Sequence, residues 1–212
     1  MEHKEFFDDL STALEISVHQ QGSYDDYFNA AVLVPLIWDH DQLAVLFEVR
    51  STHLSCQPGE VCFPGGRIEK TDESTIAAAV RETTEELGVE AEKITVLGEL
   101  QEVISSIGVR LYPCVGYISD STQLHPNSDE VAELFTVPLN FLLDAKPIIG
   151  SMERCTRPLA DFPFDLLPDC SPDWKNRRNY QVLFYKYEQH VIWGLTAQVL
   201  HNFLDIYRKI KK

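Results

Sequence analysis

Residues 72–89 read DESTIAAAVRETTEELGV, and this stretch decides how the rest of the chain is to be read. Asp72 or Ser74 can accept from free N–H groups at the start of a helix, and Gly88 can end one. The spacing therefore predicts a helix over 74–87. At about 100° per residue, Ile76, Val80, Thr83 and Leu87 share a stripe that is expected to face the core. Glu82, Glu85 and Glu86 are then expected on the opposite side, at spacing i, i+3, i+4, as neighbours on one surface. Two local rules are broken there. Like charges at i and i+4 repel, and carboxylates in the last turns face the negative end of the helix dipole at a cost of roughly 0.3–1 kcal/mol each. The helix contains no Lys to offset them, and only Arg81 reaches Glu85, at i+4. A breach of two rules in one place marks a candidate functional site.

The plain alternative is a solvated acidic face. The flanking sequence argues against it. A loop ending Phe63-Pro64-Gly65-Gly66 precedes the helix, and glycines there permit unusual backbone angles and close approach of a ligand. Ala77, Ala78 and Ala79 leave room beside the carboxylates. An oxygen-rich cluster of this kind suits Mg²⁺ or Mn²⁺, which bridge diphosphate oxygens and acidify a bound water.

Outward from this helix, the pattern alternates strands with helices. A helix is expected at 4–19, on Phe6, Phe7, Leu10 and Leu14. Ala30–Trp38 and Leu43–Val49 read as a hairpin about Asp39-His40-Asp41. Residues 51–66 read as an irregular loop, Ile94–Leu100 and Val109–Ile118 as strands, and 119–130 as a polar loop. Val131–Phe135 precedes a short helix at Leu139–Asp144. Residues 146–178, with Pro158, Pro163, Pro168 and Pro172, are expected to be irregular. Gln181–Tyr187 reads as a strand and 193–210 as a closing amphipathic helix with Leu195, Val199, Phe203 and Ile206 or Tyr207 on its stripe. The expected class is α/β (α+β), in one domain spanning 1–212.

The formal net charge of −15 argues against a nucleic-acid partner, because gripping a phosphate backbone needs stripes of Lys and Arg. Arg208, Lys209, Lys211 and Lys212 form a short basic cluster in the tail, not a stripe. An acidic protein that handles phosphates must make its site locally positive, and a divalent cation is the direct route. Cys56, Cys62, Cys114, Cys155 and Cys170 are odd in number and contain no CxxC pair, which suits a reducing compartment. No apolar segment follows the N-terminal Met1-Glu2-His3-Lys4-Glu5, and the run Ala30–Trp38 is too short to span a bilayer. A cytoplasmic location without membrane association is expected.

The run from Glu73 to Val89, preceded by Gly66, resembles the Nudix box GX5EX7REUXEEXGU. The stretch matches in register from Glu73, with Thr83 in place of the usual aliphatic residue. Six residues separate Gly66 from Glu73, and Arg67 holds the glycine position. Upstream, Leu46-Phe47-Glu48-Val49-Arg50-Ser51, Gly59 and Phe63-Pro64-Gly65-Gly66 resemble the signature of the coenzyme A pyrophosphatase branch, LLTXR[SA]X3RX3GX3FPGG. Glu48 stands where Thr is usual, and Ser55 where Arg is usual. Asp129–Glu133 and Ile192–Ala197 are similar to later segments of that branch.

The resemblance implies a Nudix-type α/β/α sandwich with a mixed β-sheet, and a box at about 66–89. It implies hydrolysis of a nucleoside diphosphate linked to another moiety, with Mg²⁺ or Mn²⁺ as cofactor. For the branch, the substrate would be coenzyme A or a derivative, giving 3′,5′-ADP and 4′-phosphopantetheine. Glu82 and Glu86 would be the leading metal ligands, Glu85 a third ligand or the general base, and Arg81 would orient Glu85. Gly65 and Gly66 would meet the substrate, and Arg50 and Arg67 can either grip its phosphates or serve as surface residues. A homodimer is an expected assembly.

Weaker candidates have plainer readings. Glu130 can act as a base from outside the helix or be a solvated loop carboxylate. His53 is expected to face solvent, Trp193 and Gly194 to pack, and Cys62 has no histidine placed to activate it. Two other functions compete: a Nudix diphosphatase for ADP-ribose or nucleotide sugars, and a non-catalytic Nudix-like binding module. The second fits poorly with the intact helix glutamates.

Overall fold

In the computed structural model, residues 27–106, 108–119, 124–167 and 170–210 are described. The helix expected at 4–19 lies outside them. Strand β1 (Phe28–Asp39) turns through His40 and Asp41 into β2 (Gln42–Arg50), with Leu36 opposite Val45 and Asp39 opposite Gln42. Both turn residues have positive φ, at 44° and 62°. Paired positive φ values match the right-handed twist of a tight hairpin. Short strands β3 (Val61–Cys62) and β4 (Gly65–Arg67) follow. They interrupt the expected loop at 51–66, because the chain there pairs with β2 and then β1.

Helix α1 (Thr75–Leu87) leads to β5 (Ile94–Glu99), β6 (Val103–Ile104), β7 (Val109–Ile118), β8 (Val131–Pro138) and the short α2 (Leu139–Asp144). The central order is β3-β2-β1-β7-β5, with β4 on β1, β6 on β7 and β8 on β2. β1 and β7 run parallel, Ala30 opposite Leu111, while the other pairs are antiparallel, so the sheet is mixed.

Residues 146–178 correct the expectation of an irregular segment. Ile148–Thr156 forms β9 and Lys175–Tyr187 forms β10, joined by 157–174, and His190–Trp193 adds β11. The prolines fall within the connection. β9 is mostly exposed, so it carries no buried alternation to read, and its ladder with β10 from Ile148–Phe184 to Thr156–Lys175 holds it extended. The closing helix α3 (Gly194–Ile210) lies where expected. On its stripe Tyr207 packs inward and Ile206 is exposed.

Strand alternation divides the core into two layers. From β1 and β2, Ala30, Val34, Leu36, Val45 and Phe47 face α3 and its Val199, Leu200, Phe203 and Leu204. Ala31, Leu33, Ile37, Ala44 and Leu46 face α1 and its Ala78, Ala79 and Leu87. The result is the α/β/α sandwich. The alternation has a consequence for β2: after Ala44 and Leu46, the next residue on the α1 face is Glu48.

Candidate active site

Ser74 caps α1, its hydroxyl accepting from the Ala77 N–H at 3.0 Å, and Gly88 ends the helix at φ 62°. The buried residues are Ala78, Ala79, Thr83, Glu86 and Leu87, while Ile76 and Val80 are half-buried. The buried arc is thus turned from the expected stripe toward Glu86. The cause is the pair of small residues Ala78 and Ala79, which lets the helix lie close on β1 with its Glu86 edge inward. The expectation that Glu86 sits opposite the core is corrected: it is 5% exposed. Glu82 is half-buried and Glu85 exposed.

The glycine turn fits around these carboxylates. The Gly65 N–H donates to Glu86 Oε2 at 2.7 Å. Gly65 has φ 152°, and a Cβ there would strike the Ala31 carbonyl across the ladder. A Cβ on Gly66 would come within 2.6 Å of the Glu82 carboxylate. Gly65 therefore requires glycine, for the close passage of β4 against β1, while a side chain at 66 would displace the Glu82 carboxylate.

Arg81 does more than meet Glu85. Its guanidinium donates to Asp72 at 2.9 and 3.0 Å, to Glu82 at 2.8 Å and to the Arg67 carbonyl at 3.1 Å, and reaches Glu85 only at 3.5 Å. It ties the start of the box to the carboxylates rather than orienting Glu85 alone. Asp72, one residue before Glu73, takes this fork, and Glu73 is exposed. The bond from Arg81 and the Glu69 N–H hold the Asp72 carboxyl below its ordinary range. The bonds to Asp72 hold the guanidinium firmly protonated.

The sequence reading missed Glu48 as a site residue. It is 1% exposed on the α1 face of β2. Its Oε1 accepts from Cys62 Sγ at 3.0 Å, across the register pair Glu48–Cys62, and its Oε2 is buried with no hydrogen-bond partner among the described residues. The available signal was a lone charge in the apolar run 43–49. Burial raises the Glu48 carboxyl above its ordinary range. Burial also raises Glu86, and the neighbouring Glu48 charge pushes it further the same way. Glu82 is raised by burial, against the pull of Arg81. Burial and the Glu48 charge push the Cys62 thiol far up, so it is no thiolate nucleophile.

The loop before β8 closes one side of the cluster. His125 and Asn127 donate backbone N–H bonds to the Leu87 and Glu86 carbonyls at the end of α1, both at 2.9 Å. Glu130, half-buried and held by Asn127 Nδ2 at 3.2 Å, adds its charge to the field on Glu48, Glu82 and Glu86. It thus belongs to the cluster's electrostatics rather than to bulk solvent. Arg50 donates to the Cys56 carbonyl at 3.3 Å, and its charge lowers Glu48. Arg67 is exposed, over the Phe28 ring at 5.7 Å. His53 is exposed. Trp193 stacks on Phe184 and lines a cleft with Val49, Val61, Glu133 and His190.

The donor set fits a hard divalent cation. It comprises carboxylates, one with an orphaned buried oxygen, beside a glycine turn. Among the described residues no three acidic, His or Cys groups are already closed into a cage. Arg81, the Gly65 N–H and Cys62 each bond one oxygen of these carboxylates. Also among the described residues, no helix is long and apolar enough to cross a membrane.

The NUDIX domain matches residues 27–154. The chain is 38% identical over 185 residues to Uncharacterized Nudix hydrolase NudL of Pectobacterium atrosepticum, covering 87% of this chain and 82% of that one. It is 35% identical over 210 residues to Nudix hydrolase 3 of Caenorhabditis elegans, covering 96% and 83%. It is 37% identical over 132 residues to Peroxisomal coenzyme A diphosphatase NUDT7 of Mus musculus, covering 62% and 55%. With the box on α1 and the domain matched across most of the sheet, the chain belongs to the Nudix family and is a Nudix hydrolase.

Proposed function

We propose that the protein hydrolyses the diphosphate bond of coenzyme A or its derivatives, giving 3′,5′-ADP and 4′-phosphopantetheine, with Mg²⁺ or Mn²⁺ as cofactor and the whole chain acting as one domain. The observation that carries the reading is the packing of the Glu82 and Glu86 carboxylates against the glycine turn, where Gly65 donates to Glu86 and a side chain at 66 would meet the Glu82 carboxylate. The coenzyme A substrate is supported by the Arg50-Ser51 and Gly59…Phe63-Pro64-Gly65-Gly66 elements, and by the likeness to the mouse coenzyme A diphosphatase.

Glu82 and Glu86, with Glu85, would hold the cation. When bound it draws charge from the diphosphate and acidifies the attacking water. Arg50 and Arg67 supply positive charge at the rim for phosphate oxygens. Glu85, exposed and only loosely tied to Arg81, is either that third ligand or, left unligated, the base that takes the water's proton. The water oxygen bonds to one phosphorus, the bridging P–O bond breaks, and its electrons leave with the other phosphate. Glu130 is the alternative base.

The test is a turnover screen of coenzyme A, its thioesters, ADP-ribose and dinucleoside polyphosphates, each with Mg²⁺, with Mn²⁺ and with chelator. Coenzyme A or a thioester is expected to give the highest kcat/KM, and only with metal. Preference for ADP-ribose would overturn the substrate. Turnover unaffected by chelator would overturn the metal.

A further inference from the structure

We propose that Glu48 is an additional metal-ligating residue: its Oε2, together with the Glu86 carboxylate, binds the divalent cation from the sheet side of the site. The inference rests on the metal-dependent reading of the cluster and extends it to a side chain outside the Nudix box, at a position where the similar branch signature has Thr.

The strand itself sets the direction of this side chain. Ala44 and Leu46 face α1, and the period of two puts Glu48 on the same face. Glu86 is the carboxylate of α1 that turns inward toward that face. The chain then links the two. Glu48 Oε1 is bound by Cys62 on β3, and three residues later the Gly65 N–H binds Glu86 Oε2. Each carboxylate is thus held by one donor at an edge of the same short turn. What remains is Glu48 Oε2, which is buried and unpartnered among the described residues.

A buried carboxylate oxygen with no donor is costly, and two buried carboxylates within each other's field are costlier still. Replacing the charge with an apolar residue would remove that cost, so a Glu retained there calls for a cation. The cationic neighbours meet this only in part: the Arg50 charge reaches Glu48, but neither arginine donates to Oε2. Arg81 is committed to Asp72, Glu82 and the Arg67 carbonyl, and Arg50 donates to the Cys56 carbonyl. A hard divalent ion accepts carboxylate oxygens from two elements at once and resolves both charges.

The experiment measures Mn²⁺ binding to the full chain without substrate, by electron paramagnetic resonance of free Mn²⁺ and by calorimetry. The unaltered chain is compared with Glu48→Gln, Glu48→Asp and, as a distant control on β9, Glu153→Gln. Loss of a ligand is expected to weaken Mn²⁺ binding by about 10- to 100-fold in Glu48→Gln, the scale seen when groups supporting a metal site are removed. Glu153→Gln should bind as the unaltered chain does. Glu48→Asp keeps the charge and withdraws the oxygen, and is expected to fall between; it carries the test if Glu48→Gln does not fold. Unchanged affinity in a folded Glu48→Gln, with binding intact in the unaltered chain, overturns this inference alone. Absence of binding in the unaltered chain overturns the metal-dependent reading as well.

Discussion

Glu86 carries opposite obligations in the metal-free and metal-bound protein. Buried beside Glu48, it is destabilising as a free anion; as a ligand it is needed ionised. Glu86→Gln separates the two. It keeps an oxygen to accept from the Gly65 N–H, so the turn should stay closed. Metal-dependent turnover should fall by at least about 100-fold, the upper end of what supporting groups cost. The metal-free melting temperature at neutral pH should not drop. Turnover within a few-fold of the unaltered enzyme would refute the assignment of Glu86. The cluster of Glu82, Glu85 and Glu86 was legible from spacing alone. The inward turn of Glu86 was not, because helical spacing fixes relative angles and leaves open which arc meets the sheet. Glu48 was visible as an isolated charge in an apolar run, but the sequence did not indicate which face of the strand it occupied.

At the level of elements, α1 is held as a rigid carrier by its ends. Ser74→Ala should cost about 0.5–2 kcal/mol of stability by freeing the N–H of Ala77, measurable by denaturant unfolding with no change in KM. Gly66→Ala should behave differently. Its Cβ meets the Glu82 carboxylate rather than core atoms, so metal affinity and kcat should fall while the fold persists. A Gly66→Ala enzyme with unaltered metal affinity would contradict the close fit of the turn. The ends of α1 were readable because capping chemistry is local: Ser74 and Gly88 satisfy backbone groups within a turn of themselves. The β9–β10 pair was not readable over 148–178. The pairing partners are far apart in sequence, and β9 buries too little to show a period. The fork from Arg81 to Asp72 was likewise hidden, since Asp72 lies before the helix and spacing along the helix does not place its side chain.

For the whole molecule, the sheet's two faces serve different ends. The α3 face is largely apolar, with Phe47 wholly buried and stacked on Phe63 and Phe135, and the buried His190 stacked on Phe135 in turn. The α1 face gives up part of its core to Glu48 and Glu86. That makes the stability of the metal-free protein depend on pH, with a definite sign. Both carboxyls have folded-state values raised above the unfolded ones, chiefly by burial. The folded state therefore binds more protons, and their stabilising share is fully present below the ordinary Glu range near pH 4.5. It is lost as pH rises from there through the raised values. In chelator, the melting temperature should fall between pH 5 and pH 9. The net charge of −15 also opposes the fold as pH rises, so the comparison must be with the Glu48→Gln/Glu86→Gln double variant, whose decline should be shallower. Mg²⁺ binds the ionised folded form, so it should raise the melting temperature more at pH 8 than at pH 5. At 100 times the Kd it adds about 2.7 kcal/mol, or roughly 5–10 °C for a chain of this size. Equal Mg²⁺ shifts at the two pH values, or equal slopes in the double variant and the unaltered chain, would mean that these two carboxyls do not carry the coupling. Scanning calorimetry of the two proteins, with chelator and with Mg²⁺, decides between the outcomes.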